Sequence, residues 1–165
     1  MNYRTAAWIE GYFEVFSQLK DMGEDLSFKQ VLSALYDEDT GKVEASFASK
    51  MLATINPQKP ILDSNVLYVL YACGEVSRRE LTQRGQKRLV QAIDLYEEIE
   101  EAYRGLSEEM AQQWIAAFDA EFSGYADISD AKKIDFVLWS QGAQWKEEEK
   151  DEKEKEKARA LAVLP

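Results

Sequence analysis

Apolar side chains recur along this chain at spacings of three and four, the repeat that gathers them on one face of an α-helix. Ile9, Phe13, Phe16 and Leu19, with Trp8 and Tyr12 beside them, form a wide stripe that predicts a first helix with that stripe buried. Ser27 and Gln30 stand three apart just ahead of Phe28, Val31, Leu32, Leu35 and Tyr36, a capping box that starts a second helix. The polar run Asp37-Glu38-Asp39-Thr40-Gly41 ends it. A third helix is expected from about Val43 through Phe47 and Met51 to Ile55, and Asn56-Pro57-Gln58-Lys59-Pro60 must be a loop, because neither proline continues a helix. Asp63 stands where the next cap belongs, ahead of a fourth helix over Ser64 to Cys73 that is apolar on most faces and is closed by Gly74.

Three more helices follow. Leu89, Val90, Ile93, Tyr96, Ile99 and Tyr103 mark the fifth, closed by Gly105. Met110, Trp114, Ile115, Phe118 and Phe122 mark the sixth, with Ser107 as its expected cap. Ser129 opens the seventh, which carries Ile134, Val137, Leu138 and Trp139. Lys146 to Lys157 then contains no apolar residue. The pattern predicts an all-α, compact orthogonal bundle of about seven helices, with one domain over 1–143 and a charged C-terminal helix or tail over 144–165. No repeat of fixed period argues for a solenoid.

Composition supports this picture. Apolar residues make up 45% of the 165, with four Trp, eight Tyr and seven Phe, enough to build one core. Trp8, Trp114 and Trp139 lie on periodic apolar faces and are expected in that core, and the lone Cys73 reads as a small buried hydrophobe. With no His and one Cys, imidazole catalysis and His/Cys zinc sites are excluded, and no disulfide asks for an oxidising compartment. No signal peptide and no membrane span are recognised, so a cytoplasmic protein is expected. No cofactor motif is present, and Asp37-x-Asp39-x-Gly41 has its glycine one place too early for a calcium loop.

The net charge of −11 is unevenly spread. From Asp94 to Asp130 eleven acidic residues face Arg104 alone. Between Lys42 and Arg88, Lys42, Lys50, Lys59, Arg78, Arg79, Arg84, Lys87 and Arg88 outnumber Glu44, Asp63, Glu75 and Glu80. Such a basic segment is either a solvated face paired to the acidic helices or a surface that holds phosphates.

One stretch points to chemistry. Lys42-Val43-Glu44-Ala45-Ser46-Phe47-Ala48-Ser49-Lys50-Met51 leads through Pro57 and Pro60 to Ile61-Leu62-Asp63-Ser64-Asn65-Val66. This order of lysine, small-residue helix, proline loop, aspartate and apolar helix resembles the heart of the helix-hairpin-helix DNA glycosylase superfamily, in particular its archaeal 8-oxoguanine branch, over about a quarter of the chain. The resemblance implies a glycosylase-like core, a catalytic carboxylate at Asp63 and a Schiff-base amine at Lys42. It also implies DNA binding at Gly41, to which the basic segment would add the cations Lys50, Lys59, Arg78, Arg79, Arg84, Lys87 and Arg88. The family hairpin shows two glycines around an apolar residue; here Gly41 stands alone. Ile128 to Trp139, taken with Asn56-Pro57 and Ile61-Leu62-Asp63, is also similar to a group of small bacterial proteins of unassigned function.

The residues leave simpler readings open. Asp63 serves equally as an N-cap for the amides after it, and Lys42 as a solvated residue at a first turn. Two functions follow. One is a diverged glycosylase-like domain that binds damaged or distorted DNA and cleaves an N-glycosidic bond. The other is a non-enzymatic acidic protein, a DNA mimic or an inhibitor from a phage or mobile element, that docks on a basic partner through Asp94, Glu97, Glu98, Glu100, Glu101, Glu108 and Glu109.

Overall fold

Local signals set the helix ends. Thr5 caps α1 (Ala6–Leu19) by accepting the amide of Trp8. A 3₁₀ turn, Lys20–Asp25, kinks at Gly23 and leads to the Ser27–Gln30 box, which closes reciprocally at the start of α2 (Phe28–Ala34). In the next loop the Asp37 carboxylate accepts the amides of Asp39 and Thr40 and the hydroxyl of Thr40, and the Thr40 bonds hold its carboxyl below the usual range. Then come α3 (Ala45–Ile55), α4 (Ser64–Ala72), α5 (Gly85–Gly105), α6 (Glu108–Glu121) and α7 (Asp130–Ala162). The computed structural model describes residues 5–106, 108–125 and 127–162, with side chains through residue 155. The expected cap at Ser107 lies outside the described residues.

The chain is all-α, a bundle of seven helices among the described residues. Its core joins Val31 and Leu32 of α2, Ala48, Met51 and Leu52 of α3, Val66 and Leu70 of α4, Leu95, Tyr96 and Ile99 of α5, and Ile134 and Leu138 of α7. Tyr96 stacks on Phe28 with ring centroids 4.0 Å apart. α4 and α7 cross in close contact, where a Cβ on the buried Gly142 would lie 2.1 Å from the carbonyl oxygen of Asn65. Only a glycine permits that approach. α7 runs without interruption through 143/144, so the expected charged tail continues the last core helix.

α4 ends as its sequence predicts. Gly74 takes φ +76°, the Glu75 amide reaches the Leu70 carbonyl at 3.0 Å and the Gly74 amide reaches Tyr71 at 3.4 Å, the pair of bonds of a Schellman turn. That reversal buries Val76 and leaves Cys73 exposed, which corrects the expectation of a buried thiol.

Three more expectations are corrected. The stripe of the first helix is split: Tyr12, Val15, Phe16 and Leu19 pack against the core, and Trp8 and Tyr12 meet the Phe47 ring of α3, whereas Ile9 is 44% and Phe13 59% exposed. Trp139 is 46% exposed, not in the core. Its neighbour Leu138 takes the inward position one turn after Ile134, so Trp139 falls about 100° further round α7. The third helix begins at Ala45, after a Glu44 that makes no side-chain capping bond, so Lys42 precedes the helix instead of opening it.

Candidate functional site

The proline loop is held on three sides. The Ser129 hydroxyl donates to the Pro57 carbonyl, Tyr96 Oη donates to the Pro60 carbonyl at 2.9 Å, and the Leu62 amide donates to Ser49 Oγ at 2.9 Å. The Ile61 amide donates to Asp135 Oδ1 at 3.2 Å. Two rigid prolines and these bonds from α3, α5 and α7 fix where Asp63 enters α4. There Asp63 Oδ1 accepts the Asn65 amide at 2.9 Å, the expected cap, and Oδ2 accepts Lys50 Nζ at 3.0 Å.

The capping role leaves the carboxylate facing a cavity. A space of about 280 Å³ opens beside it, near the lower end of ligand-pocket sizes and suited to a single ring. Ile61, Phe136 and Trp139 form apolar walls, and Lys50, Asp63, Lys132 and Asp135 supply the charges. Lys50 reaches Asp63 from α3, so the two carboxylates and the two amines come from the end of the loop and from two helices, α3 and α7.

Asp135 is 3% exposed. Its Oδ1 accepts Tyr103 Oη at 2.7 Å as well as the Ile61 amide, while Oδ2 makes no hydrogen bond among the described residues and has Lys132 Nζ 3.7 Å away. Burial pushes this carboxyl above the usual range, against the opposing pull of Tyr103, Ile61 and Lys132. The phenol of Tyr103 is pushed well up by its own burial and by the neighbouring Asp135.

The structure brings together two of the residues singled out in the sequence, Asp63 and Lys50. Lys42 is elsewhere: its ammonium pairs with Glu44 at 3.0 Å and it does not line the cavity. Gly41, at φ +63°, accepts the Gly85 amide through its carbonyl at 2.7 Å and packs on the start of α5. Lys59 pairs with Glu100 at 2.8 Å and Arg79 with Glu98, so these cations tie the loops to α5. Arg78 lies over the Tyr71 ring, 5.6 Å from its centroid. Arg84 and Lys87 are exposed, and Arg88 is partly buried, its Nη1 without a hydrogen-bond partner among the described residues and its pKa pushed down by burial. Of the acidic residues, Asp94, Glu97, Glu101, Glu108 and Glu109 are exposed.

Sequence reasoning missed Asp135, Lys132, Phe136 and Trp139 as site residues. The available signal was an acid inside the run Ile134 to Trp139, one helical turn before a tryptophan. Among the described residues no group of three or more Cys, Asp or Glu converges to hold a metal ion, and no helix is long and apolar enough to cross a membrane. No family model, curated protein or solved structure matches this chain.

Proposed function

We propose that this protein is a diverged glycosylase-like domain that accepts the extruded base of a damaged or distorted DNA into the Asp63 cavity. One observation carries the reading: the aspartate that follows the proline loop opens onto a ring-sized cavity, with an amine 3.0 Å away and exposed aromatic walls. Phe136 and Trp139 offer stacking faces for a base taken out of its duplex. As the N-glycosidic bond breaks, its electron pair leaves with the base and positive charge grows on the sugar. A carboxylate fixed at a helix N-terminus lies ready to stabilise that charge, and it takes the proton of the water that then adds to the sugar carbon. Where the resemblance implied Lys42 as the attacking amine, the geometry favours Lys50.

The test uses duplexes carrying an oxidised or a deaminated base, at low salt, with alkali revealing abasic sites. The wild type releases the base, and Asp63→Asn slows release by about 10² or more. Borohydride traps a covalent adduct on the wild type but not on Lys50→Gln if the amine attacks. Absence of binding and cutting by the wild type, or equal rates in Asp63→Asn, overturns the reading.

A second reading rests on a different observation. Asp94, Glu97 and Glu101, three and four residues apart, leave an exposed acidic stripe along α5, continued by Glu108 and Glu109 at the start of α6. Such a stripe is the surface a basic partner would meet.

A further inference from the structure

A second opening lies on the other side of the α4 N-terminus. A groove of about 490 Å³ runs along α4 and the segment after it, walled by Ser64, Leu67, Tyr68, Tyr71, Arg78, Leu81 and the Glu98-paired Arg79. Ser64 in its wall is the residue next to Asp63 in the cavity wall, so the two openings both adjoin the N-terminus of α4. From α7, Lys146 Nζ reaches over the Tyr68 ring at 5.6 Å and donates to the Ser64 carbonyl at 2.8 Å, Ser64 Oγ at 3.2 Å and Asn65 Oδ1 at 2.8 Å. Among the described residues no carboxylate lies within ion-pair distance of Arg78 or Lys146, unlike Lys42, Lys50, Lys59 and Arg79. Two cations thus flank two tyrosines, and Arg88 adds a third positive charge close to Tyr71.

We infer that this groove holds a single-stranded run of nucleic acid that continues from the nucleotide seated in the Asp63 cavity. The inference rests on the proposed function for its starting point, and it adds the surface that carries the strand. Aromatic faces that stack bases whatever their sequence, alternating with cations that meet phosphates, are the elements of single-strand binding. Of the cations expected to hold DNA, Lys59 and Arg79 are neutralised by α5, whereas Arg78 in the groove wall is not; Lys146 adds its charge beside Tyr68 while its N–H groups bond to Ser64 and Asn65. Glu149 stands at the rim, its carboxylate accepting Tyr68 Oη at 2.9 Å and Lys153 Nζ at 2.7 Å, and it opposes an incoming phosphate. On a chain of net charge −11 such a site works by short-range contact, with no long-range attraction to speed the encounter.

The experiment measures fluorescence anisotropy of a labelled ten-nucleotide oligothymidylate against salt, using the full chain. Each phosphate neutralised on a single strand contributes a slope of about −0.7 in log K against log salt, so two contacts give about −1.4 and Arg78→Gln lowers the magnitude by about 0.7. Loss of the stacking and charge at this position weakens binding about tenfold at low salt, whereas Glu149→Gln strengthens it. Melting curves of both variants verify that the fold is kept, and because their effects have opposite sign a general loss of structure cannot imitate them. Wild type that fails to bind the oligonucleotide, or variants that bind as it does, overturn the inference. So does a polyglutamate peptide that binds as tightly, since the groove would then suit a protein partner. The same proteins assayed on damaged duplexes separate the two claims. Cutting that needs Asp63 with oligonucleotide binding indifferent to Arg78 removes the groove and keeps the enzyme; strand binding with the stated slope and no cutting does the reverse.

Discussion

Asp135 is a carboxyl group held almost out of water by the Ile61 amide, Tyr103 and Lys132. Burial raises its pKa in the folded chain, so folding favours its protonated form. The sign follows: the stabilising contribution is complete below the ordinary carboxylate range and is lost as pH rises through the raised value. Asp135→Asn keeps an oxygen for both donors and has no such titration. Its melting temperature relative to wild type is therefore expected to climb as pH goes from about 4 to neutrality, and a difference that stays flat would show that the group does not titrate in this way. Asp37 and Glu149, whose carboxyls are held low, titrate alike in both proteins and cancel from the difference. At this scale the sequence disclosed Asp63 as a cap, because the amide it binds is two residues away. It did not disclose Lys50 as the partner of Asp63, thirteen residues back, nor Asp135 behind Ile61, because those meetings depend on how three helices cross. Trp139 was misplaced for the same reason: periodicity gives the width of an apolar stripe, not which edge of it faces a cavity.

Among the elements, the junction of α4 with α7 sets the geometry on both sides of Asp63. Gly142 lets the helices touch, and Lys146, one turn further, bonds to Ser64 and Asn65. Gly142→Ala drives a methyl group into the backbone of Asn65, which cannot yield as a side-chain tip would. The expected cost is about 1–3 kcal/mol in denaturant unfolding, larger than the same substitution causes at the open Gly124. Unchanged stability would mean that the helices separate freely. Helix ends were legible at the local caps Ser27, Asp63, Gly74 and Ser129, though not at Thr5, whose bond to the Trp8 amide is equally local. The start of α3 was not, because Glu44 makes no side-chain capping bond to mark it. Gly142 gave no warning either, since a glycine inside a helical pattern reads as a weak spot until the partner helix is in place.

For the whole molecule, the all-α bundle followed from repeats of three and four in nearly every segment, which is why it was readable at once. The distribution of charge was readable as composition but not as surface. Lys59 meets Glu100 across 41 residues, and Arg79 meets Glu98, so part of both the basic and the acidic segment is consumed internally. This divides the acidic residues of α5 into two classes with opposite expected behaviour. Reversing Asp94, Glu97 and Glu101 to lysine abolishes any low-salt retention of basic nucleic-acid-binding proteins and leaves the melting temperature nearly unchanged. Reversing Glu98 or Glu100 breaks ties to the loops and lowers it. Retention that survives the first set removes the docking reading.

α7 is one unbroken rod that supplies Trp139 to the cavity and Lys146 to the groove. Seven residues are close to two full turns, so both side chains point the same way, about 10 Å apart along the axis. The helix therefore acts as a ruler: whatever occupies both openings must span that distance, and lengthening the rod by a single residue between them would turn one mouth away from the other.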